Sequence, residues 1–259
     1  MIRELLTLDE VRAAGGDDDL LVWAAQRLSG GARAWALGDA VVAAGPGASR
    51  RDRLGVWGGT SCAVELVRHA LAEVGPTFRP FGEAGLMAEV AAEFDGVEVA
   101  GGFSWMSLGV LPAPADVPAA APAGVAVDET GGGVVGWLGG DADAEVAALL
   151  AAGAPDSYAV PGAAGVSRWA GLRIGGGLAA VAADAWSAPS VGLLAGVATA
   201  AAFRGRGLAG RVCRWVSREL VAAHGRAALM VDDDNSAAIA VYERIGYSRR
   251  RVLACHVTT

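Results

Sequence analysis

Residues 203–211 read FRGRGLAGR, three glycines and three arginines at the head of a run with helical apolar periodicity. Glycine lets a backbone come close to a bulky anion, and the free N–H groups and dipole of a helix start favour a phosphate there. Arginine can order such a loop or add charge to it. Arg204, Arg206, Arg211, Arg214 and Arg218 crowd this stretch of a chain whose net charge is −7. They read either as a solvated helix face or as a local anion site. Two ligands suit the second case. Gly205-x-Gly207-x-x-Gly210 fits the dinucleotide fingerprint, with Asp232 downstream where an acidic residue would hold a ribose; that reading makes a Rossmann-type NAD(P) oxidoreductase. Against it, TAAAFR separates the turn from the preceding strand, and the chain ends too soon after Gly210 to complete a doubly wound sheet. A second match, Gly131-x-Gly133-x-x-Gly136, shows how cheaply a glycine-rich chain makes the pattern. Read from Arg204, the same letters suit the pyrophosphate of an acyl-CoA.

The next block, NSAAIAVYERIGY over residues 235–247, separates the two. Taken singly, Asn235 is a helix cap, Tyr242 a core residue and Gly246 a stop signal. Taken in order, Asn235, Ala238, Tyr242, Gly246 and Tyr247 follow the loop Arg204-Gly205-Arg206-Gly207-Leu208-Ala209 and an intervening strand. Loop and block together resemble the two signatures of the GNAT superfamily of N-acetyltransferases, Gln/Arg-x-x-Gly-x-Gly/Ala and Asn-x-x-Ala-x-x-x-Tyr-x-x-x-Gly-Phe/Tyr. The resemblance covers residues 124–257, and the whole chain is similar to two-domain members of GC-rich bacteria.

That resemblance implies an α/β fold with a mixed, mostly antiparallel sheet flanked by helices. It implies acetyl-CoA as cosubstrate, direct transfer to a primary amine of a small molecule or protein, and no metal. By position Val197, Ala198 and Thr199 would meet pantetheine where LLAGVAT splays from RAALMV. The amides from Gly205 to Gly210 would cradle the pyrophosphate, with Arg204, Arg206, Leu208 and Ala209 in the same loop. Asn235 and Ala238 would hold the pantetheine arm or the helix start, and Tyr242 would protonate the departing thiolate. Some relatives carry a glutamate base where this chain has Met230, which leaves Asp184 and Asp232 as candidates for that role, each also readable as a surface or turn carboxylate. Trp169 and Trp186 are candidates for the acceptor pocket or for the core. A protein that binds acyl-CoA without turning it over is the alternative from another class.

Elements must position these groups. Helices are expected at 17–29, 61–74, 84–94, 142–153, 208–223 and 235–245, the fifth with Leu208, Val212, Val216, Leu220 and Ala223 on one face. Strands are expected at 33–39, 40–45, 53–58, 97–102, 103–108, 171–176, 177–186, 191–199, 226–231 and 247–257, with a hairpin over 124–140. Four prolines among alanines make 111–123 a linker between residues 1–110 and residues 124–259. The first part repeats the order of the second but has GGTSCAVEL where the second has FRGRGLAGR, so it reads as a degenerate copy without a phosphate loop.

Composition excludes several classes. All 21 basic residues are arginine, which reads as a coding bias, and the acidic balance argues against nucleic acid or an anionic membrane as partner. Cys62, Cys213 and Cys255 lack metal or CxxC spacing, as do His69, His224 and His256, which suits a reduced cytosolic protein. MIRELLTLDE is charged too early for a signal peptide, and Pro189, Gly192 and Gly196 break the uncharged run 185–203. Oligomeric state is left open, with a homodimer as the form considered.

Overall fold

The computed structural model describes residues 1–109 and 133–258. The linker at 111–123 and most of the hairpin expected from residue 124 lie outside them. In the first half come β1 (Arg3–Leu5), α1 (Leu8–Ala14), α2 (Asp19–Ala24), β2 (Arg33–Leu37), β3 (Ala40–Gly45), β4 (Arg53–Trp57), α3 (Thr60–Val74), β5 (Arg79–Glu83), α4 (Ala84–Glu93) and β6 (Val97–Leu108). In the second come β7 (Val135–Trp137), α5 (Asp143–Gly153), β8 (Val166–Ile174), β9 (Gly177–Ala185), β10 (Gly192–Thr199), α6 (Leu208–His224), β11 (Ala227–Val231), α7 (Ser236–Ile245) and β12 (Ser248–Val257). The orders correspond element for element, apart from an extra first helix in the N-terminal half.

Local signals explain most of these elements and the misses. Helix α1 lacks a long apolar period but carries a capping box: the Glu10 amide donates to Thr7 Oγ1 at 3.2 Å, and Glu10 accepts from the Thr7 amide at 3.0 Å. The helix expected at 17–29 stops at Ala24, because Gln26 and Leu28 turn to φ of 50° and 48°. Strand β5 was hidden by Pro80 and Gly82, whereas the runs VEVAGG and FSWMSL form the single strand over 97–108 that the shared element order implies. On α6 the buried stripe is Leu208, Val212, Cys213, Val216, Ser217 and Leu220. Ala223, expected on that stripe, is exposed at the helix end.

Among the described residues twelve strands form one sheet in the order β1-β2-β3-β4-β5-β12-β6-β11-β10-β9-β8-β7. Of their pairs only β4–β5 and β10–β11 are parallel, and they occupy equivalent places in the two halves. This mixed sheet excludes the doubly wound parallel sheet of the oxidoreductase reading. Each half lends its last strand to the other: β12 lies between β5 and β6, and β6 lies between β12 and β11, antiparallel to its neighbours throughout. On one face a core joins both halves, with Trp23, Phe81 and Trp105 beside Trp169, Trp186 and Leu193. The other face carries two separate cores, one under α3 and α4, the other under α6 and α7.

Candidate active site

Strand β10 pairs with β11 only from Gly192↔Ala227 to Leu194↔Leu229. Beyond Leu194 the two strands part. On its other side β10 bulges between Ala195 and Ala198, with Gly196 at φ +61°. A Cβ on Gly196 would collide with the Trp169 ring, so glycine is required both by the backbone and by the packing. The outcome is a length of β10 whose amides and carbonyls face a gap instead of a partner strand, where an extended ligand can pair.

The gap leads to the glycine loop. Gly205 and Gly207 sit at φ +75° and +74°, and a Cβ on either would point into open space. Gly207 begins α6 with no side-chain cap, and among the described residues the amides of Leu208, Ala209 and Gly210 have no backbone acceptor. Arg204 braces the loop: Nε donates to Thr199 O at 3.4 Å and Nη2 to Gly153 O at 3.3 Å, at the last turn of α5. A cleft of about 960 Å³ opens here between α6 and α7. Thr199, Arg204, Gly205, Gly207, Leu208, Ala209 and Gly210 line it.

Arg211, Arg214 and Arg218, which the sequence left open between a solvated face and an anion site, face the cleft from α6; sequence reasoning missed Trp215 beside them and Ala237, Ala240, Val241 and Arg244, which face it from α7. The signal was available as helical spacing of i, i+3, i+4 and i+7 on each helix. Arg206 instead points to solvent, its guanidinium 5.4 Å from the Phe203 ring centroid. Val197 lies with Gly196 in the bulge and packs on the α6 side, while Ala198 resumes the pairing opposite Val181 and joins the core shared by the halves. Asn235 caps α7 by accepting from the Ala238 amide at 3.1 Å, which settles its contact with Ala238 as a helix start.

Tyr242 is 7% exposed, between α6 and α7, with the Tyr247 ring centroid 6.0 Å away. Its hydroxyl makes no hydrogen bond among the described residues, whereas Tyr247 Oη meets Ser217 Oγ at 2.8 Å. Burial, with Cys213 and Tyr247 nearby, pushes the Tyr242 hydroxyl well above the usual phenol range. Burial likewise raises the Cys213 thiol to about 12. Both remain neutral at physiological pH.

The carboxylates diverge. Asp232 is exposed on the turn leaving β11, with its carbonyl accepting from the Asn235 amide at 3.0 Å. Asp184 is not brought to the gap. It lies opposite Leu194, before the splay begins, and is 4% exposed. Arg168 Nε donates to it at 3.2 Å and Ser187 Oγ at 2.6 Å. These partners commit the carboxylate to holding the start of β10, and the role of base expected for it is corrected accordingly. Trp186 is likewise structural, donating to Ala164 O at 3.1 Å and accepting from Trp23 Nε1 at 2.8 Å.

The matching place in the N-terminal half is shut. The β4–β5 ladder runs on to Val56↔Gly82, the β3–β4 register is unbroken, and the Asp39 carboxylate stands against Gly59 at the start of α3. A carboxylate there repels a phosphate.

Residues 170–255 match the family model described as FR47-like protein. The chain has the GNAT fold, and the matched segment lies in its second half. Among solved structures of GNAT fold it is similar over nearly its whole length to a GCN5-related N-acetyltransferase from Kribbella flavida, at 19% identity and a TM-score of 0.57, covering 96% of this chain and 95% of that one. A GCN5-related N-acetyltransferase from Sphaerobacter thermophilus follows at 13% identity and a TM-score of 0.52, covering 96% and 89%. No curated protein matches the chain significantly. A GNAT fold supports acyl transfer in general as the class of chemistry. No helix among the described residues is long and apolar enough to cross a membrane.

Proposed function

We propose that this protein is an acetyl-CoA-dependent N-acetyltransferase that passes the acetyl group directly to a primary amine. The observation that carries the reading is the end of β10–β11 pairing at Leu194↔Leu229, just before a glycine loop that opens onto a basic cleft. Pantetheine would lie along the freed edge at Val197 to Thr199, and the loop amides and cleft arginines would take the phosphates. A backbone N–H near Val197 would polarise the thioester carbonyl as charge develops on its oxygen.

The amine must arrive without its proton, because only its lone pair can attack the carbonyl carbon. The C–N bond forms, the C–S bond breaks, and the thiolate takes the proton of the Tyr242 hydroxyl. A phenol and a thiol differ by only ~1.5 pKa units in water; burial raises the Tyr242 hydroxyl beyond that, and the transfer stays near balance where the thiolate forms in the same desolvated surroundings. Asp232, exposed beyond β11, is the remaining carboxylate candidate for accepting the amine proton through water.

The test is thiol release from acetyl-CoA with a broad panel of primary amines, with CoA binding followed by calorimetry. Amine-dependent release supports the reading. CoA binding without release would make the chain an acyl-CoA sensor, and absence of CoA binding would remove the cofactor assignment.

A further inference from the structure

On the face of the sheet opposite α6, the two halves meet around Tyr158. Arg51 Nη2 donates to Tyr158 Oη at 2.8 Å and its Nε at 3.3 Å, with the guanidinium 5.5 Å from the ring centroid. Arg50 Nη1 reaches the Tyr158 carbonyl at 3.5 Å. Behind them lies Arg53, only 6% exposed, paired with Arg79 across the β4–β5 ladder. Its Nε donates to Ala48 O at 3.4 Å, and its guanidinium stands 5.5 Å from the Phe81 ring centroid.

No carboxylate among the described residues comes within ion-pair distance of these four arginines. Asp52, inside the cluster by sequence, accepts from the Gly47 amide at 3.0 Å and the Thr77 hydroxyl at 2.7 Å. The protein does pair other half-buried arginines, Arg226 with Asp17, Arg249 with Asp233 and Arg250 with Asp18. A buried cation without a counter-ion is costly and needs a reason. Desolvation brings the Arg53 guanidinium down to about 10, helped by repulsion from Arg51 and Arg79. The backbone is strained at the same place: Ser49 and Arg50 hold φ of 55° and 57° without being glycine.

The cluster is close to the transfer point. Ala159 follows Tyr158, one ~3.8 Å step along the chain, and a Cβ on Gly196 would stand 3.1 Å from the Ala159 Cβ. A molecule with its amine at the β10 bulge could therefore extend past Tyr158 to the arginines. We propose that Arg50, Arg51, Arg53 and Arg79 form the subsite for an anionic group, carboxylate or phosphate, on the acceptor amine. The degenerate N-terminal half then selects the substrate that the C-terminal half acetylates. This rests on the acetyltransferase reading for the amine, but not for the anion.

The test starts from the full-length chain saturated with CoA, so that the α6 cleft is filled, titrated separately with inorganic phosphate and with acetate. Saturable binding of either probe is expected, weakened at least tenfold in Arg51→Gln and Arg53→Gln and retained in Arg53→Lys; the tighter probe identifies the anion. If Arg53→Gln does not fold, the more accessible Arg51→Gln decides. No saturable binding, or binding unchanged in Arg51→Gln, overturns the subsite. In turnover, 4-aminobutyrate is compared with butylamine and phosphoethanolamine with ethanolamine. At least tenfold higher kcat/KM for an anionic partner, lost in Arg51→Gln, is expected; equal use of the pairs, or no use of the anionic members, overturns the acceptor role. Should CoA itself fail to bind, the acetyltransferase reading falls, and the anion titration run without CoA still decides the cluster.

Discussion

Burial raises the Tyr242 hydroxyl well above the usual phenol range and so holds the phenolic proton in place. The hydroxyl has no partner in the described protein, so removing it alone leaves no orphaned group behind. Tyr242→Phe is therefore expected to preserve folding and CoA affinity while lowering kcat by roughly 10²-fold, about 3 kcal/mol of barrier. The measurement is kcat under conditions where chemistry limits turnover, beside a CoA titration of the same variant. A wild-type kcat would make the hydroxyl structural. Asp184 illustrates the opposite case: its carboxylate has two partners and the wrong place, and nothing in the letters AADAW distinguishes those circumstances.

At the scale of elements, the loop and the bulge depend on left-handed glycines. Gly207 at φ +74° both starts α6 and leaves room beside the cleft. Gly207→Leu should strain the turn and fill the space meant for phosphate, raising the acetyl-CoA dissociation constant at least about tenfold, ~1.4 kcal/mol. Calorimetry on a variant with an unchanged circular dichroism spectrum checks it; unchanged affinity would move the pyrophosphate elsewhere. The equivalent elements in the N-terminal half lack the splay and the bulge, carry only Gly58-Gly59 where the second half has its longer glycine loop, and place Asp39 at the helix start. One CoA per chain is expected, and a calorimetric stoichiometry of two would contradict the closed β4–β5 ladder.

Over the whole molecule, the exchanged strands and the shared core make each half incomplete alone. Residues 124–259 expressed by themselves would leave β11 without β6, and β12 without both of its neighbours, exposing unpaired edges. Aggregation or loss of a cooperative unfolding transition is the expected outcome, against a single transition for the full chain. Acid should loosen the same joint. Asp233 accepts from Ser104 Oγ of the other half, then from Arg249 and Arg251, and these bonds hold its pKa below the ordinary 3.8. A depressed carboxylate contributes stability that is present above the unfolded value and lost as pH falls through the folded one. Asp233→Asn should thus lower the urea midpoint at neutral pH and show a smaller further loss below about pH 4 than wild type. Equal acid sensitivity of the two proteins would assign the acid response to other groups.

The sequence by itself determined what is local. A glycine loop at a helix start, apolar spacing on α6 and α7, the cap at Asn235 and most strands follow from residues close together in the chain, because backbone conformation and periodicity are near-neighbour properties. Order and spacing of Arg204 to Ala209 and Asn235 to Tyr247 were enough to point to the fold. Only the tertiary structure decided that β10 leaves β11 after Leu194, that β6 and β12 change places, that Arg168 claims Asp184, and that Arg53 is buried with no carboxylate partner among the described residues. Each of these depends on partners far apart in sequence. Strand pairing and charge neutralisation are settled by whichever groups the folded sheet brings together, and a linear pattern carries no record of that meeting.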